Sequence, residues 1–324
     1  MKKLLAIAGL AVSILSTQSE GASLLLSSQF SNLLAVDLGS GGSNTYLSSL
    51  PGDPEGMEIN SGGDLMLAVT GSGGKVLRIN TSTSVITQTF SIGVNNLRGL
   101  SLQGGYAYLA SPTTGAILRL DTNSGSVTEV VNSGLDFPYG VASSLDGTLY
   151  ATELSSGEVS AINLATQTVT TVALGFSSPT DIVFSNSGEM YVAQNGNGTI
   201  TRLSPGLDGV FGTLDDLRAD LATGLSFLFG LELVTDQLYF TRGGTDKTIS
   251  SMDLTTYEIT KVADLPEVGR WITASSIPEP SSCLLGGIGF IAVLMRRRRN
   301  KNEGEQDESQ QPPLAALSAT SLAT

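Results

Sequence analysis

Histidine is absent from all 324 residues, and Cys283 is the one cysteine. Histidine-based triads, histidine-ligated zinc and imidazole acid–base chemistry are therefore excluded, as is an intrachain disulfide. The densest carboxylate group is Asp208, Asp215, Asp216 and Asp220, in a 13-residue stretch that also holds Gly209 and Gly212. Closely spaced carboxylates on a turn suit a hard cation, so one reading of this stretch is a Ca2+ site. It is not an EF-hand, because the Asp-x-Asp-x-Asp-Gly pattern is missing. The competing reading is an acidic surface loop with Phe211 packed onto the neighbouring structure. A formal net charge of −13 would repel a phosphate backbone and excludes nucleic acid as a natural partner. It suits cation binding or solubility outside the cell.

The scaffold that must position these groups is repetitive. Residues 75–80, 116–121, 158–163, 199–204 and 248–253 share one strand pattern, ending on Asn80, Asp121, Asn163, Ser204 and Asp253. The steps between those last residues are 41, 42, 41 and 49. A period near 41 with four short strands per unit is the signature of β-propeller blades. The long step is the acidic insertion. Blades two to six begin on first strands at 57–60, 98–103, 139–144, 180–185 and 229–234. Residues 23–28, 32–37 and 45–50 read as second, third and fourth strands without a first, and 270–276 as a first strand without followers. Together they complete blade one, which predicts an all-β, six-bladed propeller over residues 23–277, closed by pairing the two ends. Most aromatics, such as Tyr108, Tyr150 and Tyr191, sit in second strands and read as blade core.

Propellers bind ligands where the loops leading into the first strands converge. The candidates at that rim are Glu55, Arg98, Tyr139, Asp181, Arg270 and Trp271, with Trp271 the aromatic placed for ligand stacking.

Both ends carry addresses. A basic start at Lys2 and Lys3, an apolar run over residues 4–15 and small residues up to Ala22 read as a secretory signal peptide over residues 1–22. Near the other end, Pro278, Glu279 and Pro280 precede an apolar run over residues 281–295, and then Arg296, Arg297, Arg298 and Arg299 follow. This three-part order over 278–299 closely resembles the PEP-CTERM sorting signal of Gram-negative bacteria. The resemblance implies a short transmembrane helix that holds the exported protein in the inner membrane transiently. It also implies processing by an exosortase near the Pro-Glu-Pro, and a destination at the cell surface or in an exopolysaccharide matrix. The arginine cluster independently sets a cytoplasmic side by the positive-inside rule. Residues 300–324 are acidic and Gln-rich, and read as a disordered tail.

The blade sequence, for instance Phe137-Pro138-Tyr139-Gly140 followed by Asp146-Gly147-Thr148-Leu149-Tyr150, resembles NHL-type propellers and the related gluconolactonase group. In the lactonase-like members a Glu, an Asn and an Asp hold a divalent cation. Glu55-Gly56 matches the Glu element, Tyr139 stands where the Asn is expected, and Asp181 lies in a different blade context. The expectation is therefore a non-enzymatic surface or matrix protein that binds a carbohydrate or another protein. A metal-dependent lactonase-like hydrolase is the alternative.

Overall fold

The computed structural model describes residues 23–28 and 30–275. The expected signal peptide, sorting signal and tail lie outside them. Among the described residues no helix is long and apolar enough to cross a membrane. The fold is six four-stranded antiparallel sheets.

Blade 1 is β1 (Ser23–Ser28), β2 (Leu33–Asp37) and β3 (Ser43–Leu47), with the last strand of the domain, β24 (Gly269–Ser275), on the inner side of β1. Ser23 pairs with Ser275 and Leu26 with Ile272, and the register shifts before Ser28 meets Gly269. This is the closure that the two incomplete sequence segments foretell. It leaves no open seam in the ring. The inner strands of blades 2 to 6 are β4 (Asp53–Ile59), β8 (Leu100–Gln103), β12 (Pro138–Ser143), β16 (Pro179–Phe184) and β20 (Leu228–Val234).

Hydrophobic pattern decides depth within each blade. Middle strands are buried along nearly their whole length, as in Met190–Gln194, whereas the outermost Thr168–Ala173 is Thr-rich and largely exposed. The core is a ring of apolar clusters, several of them drawn from two neighbouring blades. Met66 and Val76 of blade 2, for example, share a cluster with Leu109 and Leu118 of blade 3. Interlocking of this kind makes each blade's burial depend on its neighbour.

The polar residue that closes each sequence repeat has a specific task. Asp121 Oδ1 accepts the N–H groups of Asn123 and Ser124, Asn163 Oδ1 those of Ala165 and Thr166, and Asp253 Oδ1 those of Thr255 and Thr256. These side-chain turns reverse the chain between third and fourth strands. In blade 5, Ser204 stands at that place and the insertion follows it.

Candidate functional site

The inner strands share a four-residue frame. In its first position stand Glu55, Arg98, Tyr139, Thr180, Phe229 and Arg270. The second position is glycine in four blades, but Asp181 in blade 5 and Trp271 in blade 1. The reason for glycine is contact between neighbouring backbones. Gly56 N–H donates to Arg98 O at 3.0 Å and Gly99 N–H to Tyr139 O at 2.8 Å. A Cβ on Gly99 would stand 2.7 Å from that same Tyr139 oxygen.

Five of the six rim candidates meet here. Arg98 and Arg270 each donate through Nη1 to Glu55 Oε1, at 2.6 and 2.8 Å, and Trp271 Nε1 donates to Oε2 at 3.2 Å. Glu55 is fully buried. Burial raises its carboxyl above the ordinary range, opposed by the two guanidinium charges. The Arg98 guanidinium lies 5.6 Å over the Tyr139 ring, and that ring stacks on Trp271 at 5.8 Å. Trp271 and Tyr139 belong to blades 1 and 4, opposite one another in a ring of six, and are 6% and 9% exposed. These five residues form a packed plug across the channel, with Arg98 and Arg270 each about one fifth exposed. Trp271 stacks its ring on Tyr139 and also borders the central cavity.

Asp181 is placed elsewhere. It lines a central cavity of about 510 Å3 to which all six inner strands contribute, and which reaches the hairpin at Asn60, Ser61 and Gly63. Two carboxylates that sequence reasoning missed, Glu58 and Glu232, line it too. Each of the three accepts a backbone N–H from the next blade: Glu58 from Leu102 at 2.8 Å, Asp181 from Leu231 at 2.7 Å and Glu232 from Ala274 at 3.1 Å. Burial pushes Glu58 and Asp181 up to about 7 and Glu232 up to about 8, the last aided by the charges of Glu58 and Asp181. The available signal was a carboxylate between two apolar residues of an inner strand, Met57-Glu58-Ile59 and Leu231-Glu232-Leu233.

The aspartates of the insertion do not converge. Asp215 accepts from Leu207 N–H and Thr213 Oγ1, both at 2.7 Å, Asp216 from Gly212 N–H at 2.7 Å, and Asp208 from Val210 N–H at 2.9 Å. Asp220 stands apart on β19 (Leu217–Ala222), where it accepts from Thr201 Oγ1 at 2.6 Å. These carboxylates order the loop's own turns. Phe211 packs against Tyr150 and Phe184, with centroids at 5.8 and 6.1 Å. Among the described residues no group of three or more acidic, His or Cys side chains could hold a metal ion.

Residues 276–299 match the model of the PEP-CTERM protein-sorting motif. The chain carries a PEP-CTERM sorting motif. The motif indicates export and membrane-anchored sorting in a Gram-negative bacterium, and implies processing by an exosortase. No curated protein matches the chain. Among solved structures, the chain is similar to one in the crystal structure of a nidogen/laminin complex, with a TM-score of 0.69 at 15% identity. That match covers 79% of this chain and 99% of the other. A streptogramin B lyase structure matches with a TM-score of 0.53 at 19% identity, over 75% of this chain and 74% of that one. Both are likenesses of fold alone.

Proposed function

We propose that this protein is an exosortase-sorted binding module without enzymatic activity. It acts at the cell surface or in the extracellular matrix and engages a carbohydrate or a protein at the open end of its central channel. The observation that carries the reading is the asymmetry of the channel. One end is filled by Glu55, Arg98, Arg270, Tyr139 and Trp271, while the other holds a cavity of about 510 Å3 reaching the surface. A cavity of that size lies in the range of about 300–1,000 Å3 typical of ligand sites.

The lactonase-like alternative needs Glu55 as a ligand to a divalent cation. The residues present do not fit that group. Both Glu55 oxygens already accept hydrogen bonds, and a cation there would sit beside two guanidinium groups. Tyr139, at the place of the expected Asn ligand, is stacked on Trp271.

The test is cosedimentation of the mature protein with envelope and matrix material from the producing cells, alongside Ser61→Trp. Ser61 is exposed in a hairpin at the channel mouth, so the indole obstructs the mouth without entering the core. Retention of the wild type and loss in the variant support the reading. Equal retention of both contradicts it.

A further inference from the structure

A second cavity, of about 490 Å3, lies between blades 2 and 3. It shares Glu58, Ile59, Asn60, Ser61 and Leu102 with the lining of the central channel, so the two adjoin at the Ser61 hairpin. From that junction it runs outward over Gln103, Tyr106, Thr122, Asn123 and Arg78. The geometry points to one binding site for the end of an uncharged or amine-bearing glycan chain, its terminal unit in the channel and the following units along the groove. This inference rests on the binding reading above and names the ligand class.

The walls select against the other occupants. An added peptide strand needs free backbone groups, but the hairpins here use theirs internally. Asn60 N–H donates to Asp64 O and Gly63 N–H to Asn60 O, each at 2.9 Å, and Thr122 N–H donates to Gly105 O at 3.1 Å. An apolar anchor finds little in the groove, because its aliphatic lining, Ile59, Met66 and Leu102, is packed into the core clusters, and none of the exposed large apolar side chains among the described residues lines either cavity. The two linings hold four carboxylates, Glu58, Asp64, Asp181 and Glu232, against the single cation Arg78. A polyanion is repelled by that balance, whereas a neutral chain is tolerated and an amine attracted.

The polar groups at the junction and along the groove that suit sugar hydroxyls are Ser61, Asn123, Tyr106 and the carboxyls. Arg78 Nε is buried with no hydrogen-bond partner, although its Nη2 donates to Thr122 O at 2.6 Å. The Tyr106 ring is held by the Arg119 guanidinium at 4.8 Å, a fixed aromatic at the groove wall. Because the raised carboxyls keep part of their protons near neutrality, the channel offers donors as well as acceptors to sugar hydroxyls.

The experiment is calorimetric titration of the full chain, in a non-glycosidic detergent, with hexamers of β-1,4-linked glucose, of N-acetylglucosamine, of its de-acetylated amine form, and of a uronate. A dimer of each neutral sugar and of the amine form is run beside them. A neutral or amine hexamer is expected to bind more tightly than its dimer, and the uronate is expected not to bind. Ser61→Trp should weaken the hexamer by about tenfold or more, equivalent to about 1.4 kcal/mol. Asn123→Ala, on an exposed groove residue, should weaken hexamer but not dimer. Preference for the uronate, affinities unmoved in both variants, or no binding by any sugar would overturn the inference. If no sugar binds but Ser61-dependent retention on surface material persists and is destroyed by protease rather than periodate, the glycan is wrong while the binding reading stands.

Discussion

Glu55 places two guanidinium groups on one carboxylate oxygen and an indole N–H on the other, all inside the plug. Removing the carboxylate leaves Arg98 and Arg270, each about one fifth exposed, facing one another without a counter-charge. Glu55→Ala is therefore expected to lower unfolding stability by about 3–5 kcal/mol, read as the midpoint of urea denaturation. An unchanged midpoint would mean that the plug does not hold the ring. The channel carboxyls predict a pH dependence. Glu58, Asp181 and Glu232 titrate at about 7, 7 and 8 in the fold, against ordinary values of 4.5, 3.8 and 4.5. The native state thus binds more protons than the unfolded chain between those limits. Their stabilising contribution is fully present below the ordinary values and is lost as pH rises through about 7 to 8. The melting temperature should be higher at about pH 5.5 than at about pH 8.5, with a shallower fall in Glu232→Gln. A flat profile would contradict the burial of these groups. At this scale the repeat-closing residues were legible as markers, since Asp121, Asn163 and Asp253 recur in register. Their role as turn caps needed the positions of the N–H groups they bind. Glu58 and Glu232 stayed hidden because one strand does not reveal which cavity it borders.

The strands themselves could be read closely from alternation and glycine-bearing turns. The closing strand expected at 270–276 is Gly269–Ser275, and the first strand of blade 6 expected at 229–234 is Leu228–Val234. Residues 98–99 were expected inside the first strand of blade 3, yet β8 begins at Leu100; Arg98 N–H and Gly99 O still bond to Ala110 of the second strand, while Gly99 N–H turns to Tyr139 O of blade 4. No local pattern encodes a bond to a residue one repeat away. The acidic insertion shows the same limit. Its composition suited a cation, but each carboxylate is satisfied by a nearby N–H or hydroxyl instead. Ring closure gives the sharpest prediction for an element. A chain ending at Val268 lacks β24, leaves the inner edge of β1 unpaired, and takes Arg270 and Trp271 from Glu55. It is expected to aggregate on size exclusion and to lose cooperative melting. A monomer with an unaltered melt would contradict closure by the two ends.

For the molecule as a whole, the fold and the sorting motif were both visible in the sequence, one through its period and the other through three ordered parts. The placement of the central cavity was not visible. Of the rim residues named from their place before the first strands, Glu55, Arg98, Tyr139 and Arg270 pack together, while Asp181 and Trp271 line the cavity that extends toward the hairpin around Ser61. The central claim is that ligand contact occurs at this hairpin end. Hydrogen–deuterium exchange of the mature protein, with and without surface material from the producing cells, tests it most directly. The account predicts added protection in peptides spanning residues 58–66 and 101–123, and none in peptides spanning 92–99. Protection confined to 92–99, beside Arg98 and the plug, would contradict it.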